Sequence, residues 1–231
     1  MPSKTNHLIE ESEAIRKFRE DRIAAIVSGR TPVPLAAGAR VVLHVTAVNK
    51  PHTVDLQRMG EEMWRLAPLA PRAGFDDSPN FDGLLTYGGG DDGAYTYLQL
   101  FRDGSIETLR TITPRPESQP KIPSVNFEKQ LIEALPRCLS IQKELGLDPP
   151  FVLMLSLLGV SGYAFAIDQR QGLYEEGGRI PQDRLLVREL PIETFHIDAA
   201  AVLKPLFDQI WNAAGWSGSL NYVNGEWTPP K

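Results

Sequence analysis

The chain has next to no cysteine: Cys138 is the only one. This excludes an internal disulfide framework and a thiolate zinc cluster, and it points to a reducing, cytoplasmic setting. Histidine is scarce too, and His7, His44, His52 and His196 show no metal-ligand spacing such as His-Glu-x-x-His. No apolar run reaches the roughly 18–20 residues needed to cross a bilayer. The apolar stretch 151–167 is interrupted by Ser156, Gly159, Ser161 and Gly162, and reads as two buried strands joined by a turn. Met1 to His7 lack the apolar centre of a signal peptide, so neither secretion nor membrane association is expected. Positive charge is in deficit as well. The 24 Lys and Arg against 29 Asp and Glu give a net charge of −5, which disfavours a surface that grips phosphate all over but permits a local basic stripe.

What is present is enough for a folded domain. The 231 residues are 42% hydrophobic and 23% charged, a composition that buries a core. Ile15, Phe18, Arg22 and Ile26 recur at helical spacing, and Gly29 stands where a left-handed cap belongs. Thr31-Pro32-Val33-Pro34 forces an extended connector. A β-branched strand follows over 41–48, then a short helix striped by Leu56, Met59, Met63 and Leu66, then a loop over 68–80. Strands at 84–87, 94–102 and 105–112 form an antiparallel meander; Asp103-Gly104 is a two-residue turn, and 88–93 is a longer glycine-rich tip.

Four prolines make 113–123 an extended linker and a subdomain seam. Phe127, Leu131, Leu135 and Leu139 mark a third helix ending near Gly146. Pro136 inside it predicts a kink or split, since a straight run would cost about 3 kcal/mol. After a Gly-rich excursion comes a strand near 184–190. Asp198 caps a last helix striped by Val202, Leu203, Leu206, Phe207, Ile210 and Trp211, with Pro205 disturbing its first turn. A hairpin around Asn224-Gly225 closes the chain. The expected fold is α+β: an antiparallel meander plus further strands packed against about four helices, as a single domain over 1–231.

Few residues suggest chemistry. Gly88-x-Gly90-x-x-Gly93 has the letters of a dinucleotide fingerprint, but a strand rather than a helix follows, and two aspartates within it would repel phosphate. Gly159-Val160-Ser161-Gly162 resembles a nucleophile elbow, yet position 163 is Tyr where the pattern needs Gly, so a tight turn is the better reading of it than a Ser161–His196 pair. An enzyme would need His44, His52, His196, Asp82 and Ser161 to converge in one cleft. Asp76-Asp77, Asp91-Asp92 and Glu175-Glu176 read as solvated turns. Tyr95, Tyr97 and Phe101 fall on one side of a strand, which packs a helix more readily than it stacks bases. The first helix carries Arg16, Lys17, Arg19 and Arg22, with Arg30 just beyond: a candidate phosphate-contacting stripe, or a charged face that docks another domain. No cofactor and no metal site is read from the sequence.

Several phrases together carry a family likeness. They are Phe18-Arg19-x-x-Arg22-Ile23, Gly29-x-Thr31-Pro32-Val33-Pro34-Leu35, Val42-Leu43-His44, 80–87 (Asn-Phe-Asp-Gly-Leu-Leu-Thr-Tyr), Tyr97-x-Gln99-Leu100-Phe101-Arg102-Asp103-Gly104, Trp211-x-Ala213-Ala214-Gly215 and Asn221-Tyr222. This resembles the C-terminal region of bacterial proteins that begin with a Schlafen-type AlbA-like DNA-binding domain, often labelled ATP-binding or DNA-binding. The likeness covers about 12–227, and the AlbA-like domain itself is not in the chain. The resemblance implies a non-catalytic interaction or regulatory module that partners an AlbA-like domain or a separate subunit in a bacterial, nucleic-acid-linked and defence-related system. It also makes the first helix a connector. Direct nucleic-acid binding through that helix is the alternative, a hydrolase the third, and self-association remains open.

Overall fold

Alternation along the strands sorts one sheet into two faces of different chemistry. The computed structural model describes residues 4–71, 74–114, 118–167 and 178–229, with side chains from residue 13 onward. The elements are helix α1 (Lys4–Val27), strand β1 (Ala39–Ala47), helix α2 (Gln57–Glu61) followed by a 3-10 turn (Met63–Arg65), and strands β2 (Asp76–Asn80), β3 (Gly83–Gly90), β4 (Gly93–Phe101), β5 (Ile106–Ile112) and β6 (Lys121–Pro123). Then come helix α3 (Ser124–Glu144), strands β7 (Phe151–Leu158), β8 (Ala164–Ala166), β9 (Arg184–Leu186) and β10 (Leu190–Ile192), helix α4 (Ala199–Ala213), and the small strands β11 (Tyr222–Val223) and β12 (Glu226–Trp227). The main sheet has eight strands in the order β10-β7-β1-β5-β4-β3-β2, with β9 also on β7, and its pairings are antiparallel. The fold is α+β with an antiparallel meander.

Ala39, Val41, Leu43, Val45 and Ala47 of β1 point to one face, where α3 and α4 cover them with Phe127, Leu131, Leu135, Leu203, Phe207 and Trp211. This large core includes Ile112, Ile122 and Phe127, so it holds residues from both sides of the 113–123 linker. The opposite face carries Val42, His44, Tyr97, Glu107, Leu109 and Ser156, and α1 lies across it with Ile23 and Ile26 in a second, smaller cluster.

Four local expectations meet a different outcome. β2 lies within 68–80, where the sequence suggested a loop; as an edge strand it needs a partner on one side only, and Pro79 is tolerated there. The short second helix breaks at Glu62 into α2 and a 3-10 turn. α3 runs unbroken through Pro136, which is exposed while Leu135, Cys138 and Leu139 beside it are buried, so the missing hydrogen bond falls on the solvent side. β8 does not pair with β7 but runs parallel to β6, off the main sheet. The Asp198 cap forms as read, its carboxylate accepting from Ala200 and Ala201 N–H, and α4 runs on through Pro205. Asn224 and Gly225 take the positive φ values, 52° and 86°, that a tight hairpin needs.

The glycine-rich tip between β3 and β4 is a hairpin, and its glycines serve close approach. The connector crosses it: Ala94 N–H donates to Pro34 O (2.8 Å) and Ala36 N–H to Ala94 O (3.0 Å). A Cβ on Gly93 would lie 2.9 Å from Ala36 N. The strap thus ties the end of α1 to the far end of the meander.

Candidate functional site

Glu107 is the centre of the α1 face. It is the one acid in β5, and the antiparallel register sets it directly beside His44 on β1 and Gln99 on β4. Its side chain is fully buried. Arg22 of α1 reaches down and donates twice, from Nε to Oε2 (2.9 Å) and from Nη2 to Oε1 (2.8 Å). His44 Nε2–H donates to Oε2 (2.8 Å) and the Tyr97 hydroxyl to Oε1 (2.6 Å). Burial by itself pushes this carboxyl up, but the hydrogen bonds from His44 and Arg22 outweigh it and hold it at about 2. Burial first, and then the neighbouring Glu107 carboxylate, drives the Tyr97 phenol well above its ordinary value. Burial pulls the Arg22 guanidinium down, but its fork with Glu107 prevails and raises it.

A Tyr, a His, a Glu and an Arg in mutual contact have the makings of an acid–base site. Access is what this one lacks. His44, Tyr97 and Glu107 are buried, and Phe18 packs edge-on against His44 (5.4 Å between centroids) and Phe101 (5.5 Å) above them. His44 Nδ1 faces the interior without a hydrogen-bond partner. A carboxylate saturated by four donors in a dry interface orients a helix; it has no lone pair to offer a substrate.

Arg19, one turn before Arg22, is likewise 7% exposed. Its Nη1 donates to Val187 O (2.9 Å), its Nη2 to Leu155 O (2.7 Å) and Ser156 Oγ (3.0 Å), and its Nε to Ser156 Oγ (3.2 Å). Burial lowers its affinity for the proton. Of the basic residues singled out in the sequence, then, Arg19 and Arg22 point into the protein, so the five do not form one continuous solvent-facing stripe. Arg16 is exposed beside Glu189 (3.3 Å), Lys17 is exposed beside Asp21 (2.9 Å), and Arg30 is exposed past the helix end.

Two further polar clusters were not visible in the sequence. Lys50 Nζ donates to Asp103 Oδ2 (2.5 Å), Ser105 Oγ (2.7 Å) and Thr46 Oγ1 (3.0 Å). This superficially resembles a Ser–Lys dyad, but all three ammonium hydrogens are spent and Asp103 balances the charge, so Lys50 is no general base. Burial raises the Asp103 carboxyl, and the hydrogen bond from Lys50 brings it below the usual range. On the other side of the sheet, buried Glu128 of α3 accepts from Trp211 Nε1 (2.8 Å), Trp227 Nε1 (2.8 Å), Asn221 Nδ2 (2.9 Å) and Ser219 Oγ (2.5 Å), tying the last segment to α3 and α4.

The enzyme constellation is not assembled. Ser161 lies beyond the Leu158 end of β7, while the chain at His196 follows β10, whose Ile192 pairs with Phe151 at the other end. Eight strand residues, roughly 23–27 Å, separate the two ends. Ser161 Oγ donates to Pro181 O (3.4 Å). His52 and Asp82 are exposed, whereas His44 is enclosed. Among the described residues no group of three His, Cys, Asp or Glu is placed to hold a metal, and no helix is long and apolar enough to cross a membrane. Glu175-Glu176 and the side chain of His7 lie outside the described residues. No family model, curated protein or solved structure matches the chain.

Proposed function

We propose that this chain is a non-catalytic interaction or regulatory module that partners an AlbA-like DNA-binding domain, or a separate subunit that carries one, in a bacterial, cytoplasmic, nucleic-acid-linked defence system. The observation that carries the reading is the fastening of α1. Two of the five basic residues that a phosphate-binding helix would use, Arg19 and Arg22, are spent on backbone carbonyls, Ser156 and Glu107. Their work is to hold α1 rigidly on the sheet, as a connector that transmits a partner's position requires. An enclosed Glu107 carboxylate saturated by four donors and the separation of Ser161 from His196 support a non-catalytic role over a hydrolase.

The test uses the AlbA-like domain of a bacterial protein that carries both halves, expressed separately and titrated with this chain by calorimetry and sedimentation. A stoichiometric complex of micromolar or better affinity is expected, together with no binding of labelled oligonucleotides by the chain alone at low salt. Tight oligonucleotide binding by the chain alone, weakening steeply with salt, would sink the module reading in favour of direct contact through Arg16, Lys17 and Arg30.

A further inference from the structure

The turn between β2 and β3 displays an aromatic ring outward. Phe81 is 92% exposed, the most open large apolar side chain among the described residues. The backbone beneath it is strongly fixed. Arg102 Nε donates to Phe81 O (2.8 Å), Arg102 Nη2 to Asn80 O (3.4 Å), and Arg102 N–H to Asp82 O (3.0 Å). The Asn80 carboxamide accepts from Gly83 N–H (2.9 Å) and donates to Gln99 Oε1 (2.7 Å). Gly83, at φ 148°, lies so close to β4 that a Cβ would stand 2.0 Å from Leu100 O. A flexible loop could fold a phenyl ring back onto the protein; this turn holds it in water.

The edge strand and its turn carry an excess of negative charge. Asp76 and Asp77 of β2 and Asp82 next to the ring stand against Arg102 at the turn, while Asp91 and Asp92 lie at the far end of the β3–β4 hairpin. Asp76, Asp77 and Asp82 are exposed on the edge strand and its turn. Arg102, the first base after them, is occupied by backbone carbonyls. A second exposed aromatic, Trp64 at 71%, lies in the 3-10 turn after α2.

We propose that Phe81 is the anchor of a protein-docking surface along the β2–β3 edge, and that its occupant is a basic protein segment with an apolar pocket for the ring. With the backbone of the turn already fixed, binding through the ring costs only the ordering of the side chain itself, which suits an anchor residue. The excess of aspartate along this edge favours a partner rimmed by Lys and Arg over nucleic acid, and so favours a protein pocket over base stacking as the ring's role. This inference rests on the reading of the chain as an interaction module and names the surface through which it would act.

The experiment pans a random peptide display library against the full chain, with depletion on Phe81→Ala. The expected peptides combine an aliphatic or aromatic core with Lys and Arg. Their affinity should fall about tenfold or more on Phe81→Ala and survive Phe81→Trp. It should also weaken when salt rises from about 50 to about 300 mM and on Asp82→Lys. Phe81→Ala removes no packing, so an unchanged thermal midpoint certifies the variant. Failure to recover any peptide that distinguishes wild type from Phe81→Ala, or peptides whose binding ignores salt, overturns the proposal. That failure leaves the module reading to the AlbA-domain titration, where a complex insensitive to Phe81→Ala would keep the module and reject this surface.

Discussion

Arg22 and Glu107 are 85 residues apart in sequence and form a two-bond fork, at 2.9 and 2.8 Å, between a surface helix and the middle of the sheet. The arginine side chain is 18% exposed and the glutamate 0%. It fastens α1 firmly, because removing either partner leaves the other charge in a buried site.

Arg22→Ala should therefore destabilise the fold by about 3 kcal/mol, and Glu107→Gln by a similar amount. The double variant should cost much less than the sum of the two. Urea unfolding of the four proteins measures that coupling; additive losses would mean that the pair does not act as a unit.

The same carboxylate sets an acid limb of stability. The Glu107 carboxyl is held at about 2, against 4.5 for the free side chain. The unfolded chain therefore binds this proton first as pH falls, and the stabilisation is complete above about 4.5 and lost on the way down to about 2. The loss is about 3 kcal/mol. Asp103, held low by Lys50, adds a slope of the same sign at the acid end. Stability measured between pH 6 and 2.5 should fall steeply for wild type and less steeply for Glu107→Gln.

Arg19→Lys should not substitute for arginine. One guanidinium joins the backbone carbonyls of Leu155 and Val187 and a serine hydroxyl, a planar pattern that a single ammonium cannot reproduce. A loss of about 2 kcal/mol is expected in a denaturation midpoint. Affinity for an oligonucleotide should not change, since the side chain faces inward.

Cys138 should resist alkylation in the folded protein. Burial pushes its thiol up to about 12, so almost no thiolate exists at neutral pH. Iodoacetamide labelling followed by mass spectrometry should show modification only at denaturant concentrations that unfold the chain.

Gly83→Ala and Gly29→Ala provide a matched pair. Both positions have positive φ, but a Cβ at Gly83 meets Leu100 O at 2.0 Å while one at Gly29 meets nothing within 4 Å. Gly29→Ala should cost about 1 kcal/mol from backbone strain alone, and Gly83→Ala distinctly more. Equal thermal shifts would show that the β3–β4 approach relaxes freely.

The meander was legible because its signals are local: two-residue alternation, an Asp-Gly turn, a glycine tip. α1 was legible as a helix, and Arg22 already fell within its apolar stripe, which was the available hint that it is buried. What it would meet was not legible, because Glu107 becomes its neighbour only once β5 is in register between β1 and β4. β2 was invisible for the opposite reason. Asp-Asp-Ser-Pro-Asn has no strand propensity of its own and becomes a strand by pairing with β3. The Glu128 cluster draws its donors from residues 211–227, and nothing in the spacing of those residues points back to α3.

The placement of proline at the two margins of the sheet has a further consequence. Pro79 stands in β2 at one margin and Pro191 in β10 at the other, and the first is flanked by exposed aspartates. Each proline removes a ladder donor and makes its own strand a poor template for another chain's strand. Edge-to-edge polymerisation through β2 and β10 is thereby disfavoured. Docking through side chains on a discrete patch saturates at a fixed stoichiometry, whereas strand addition can continue without limit.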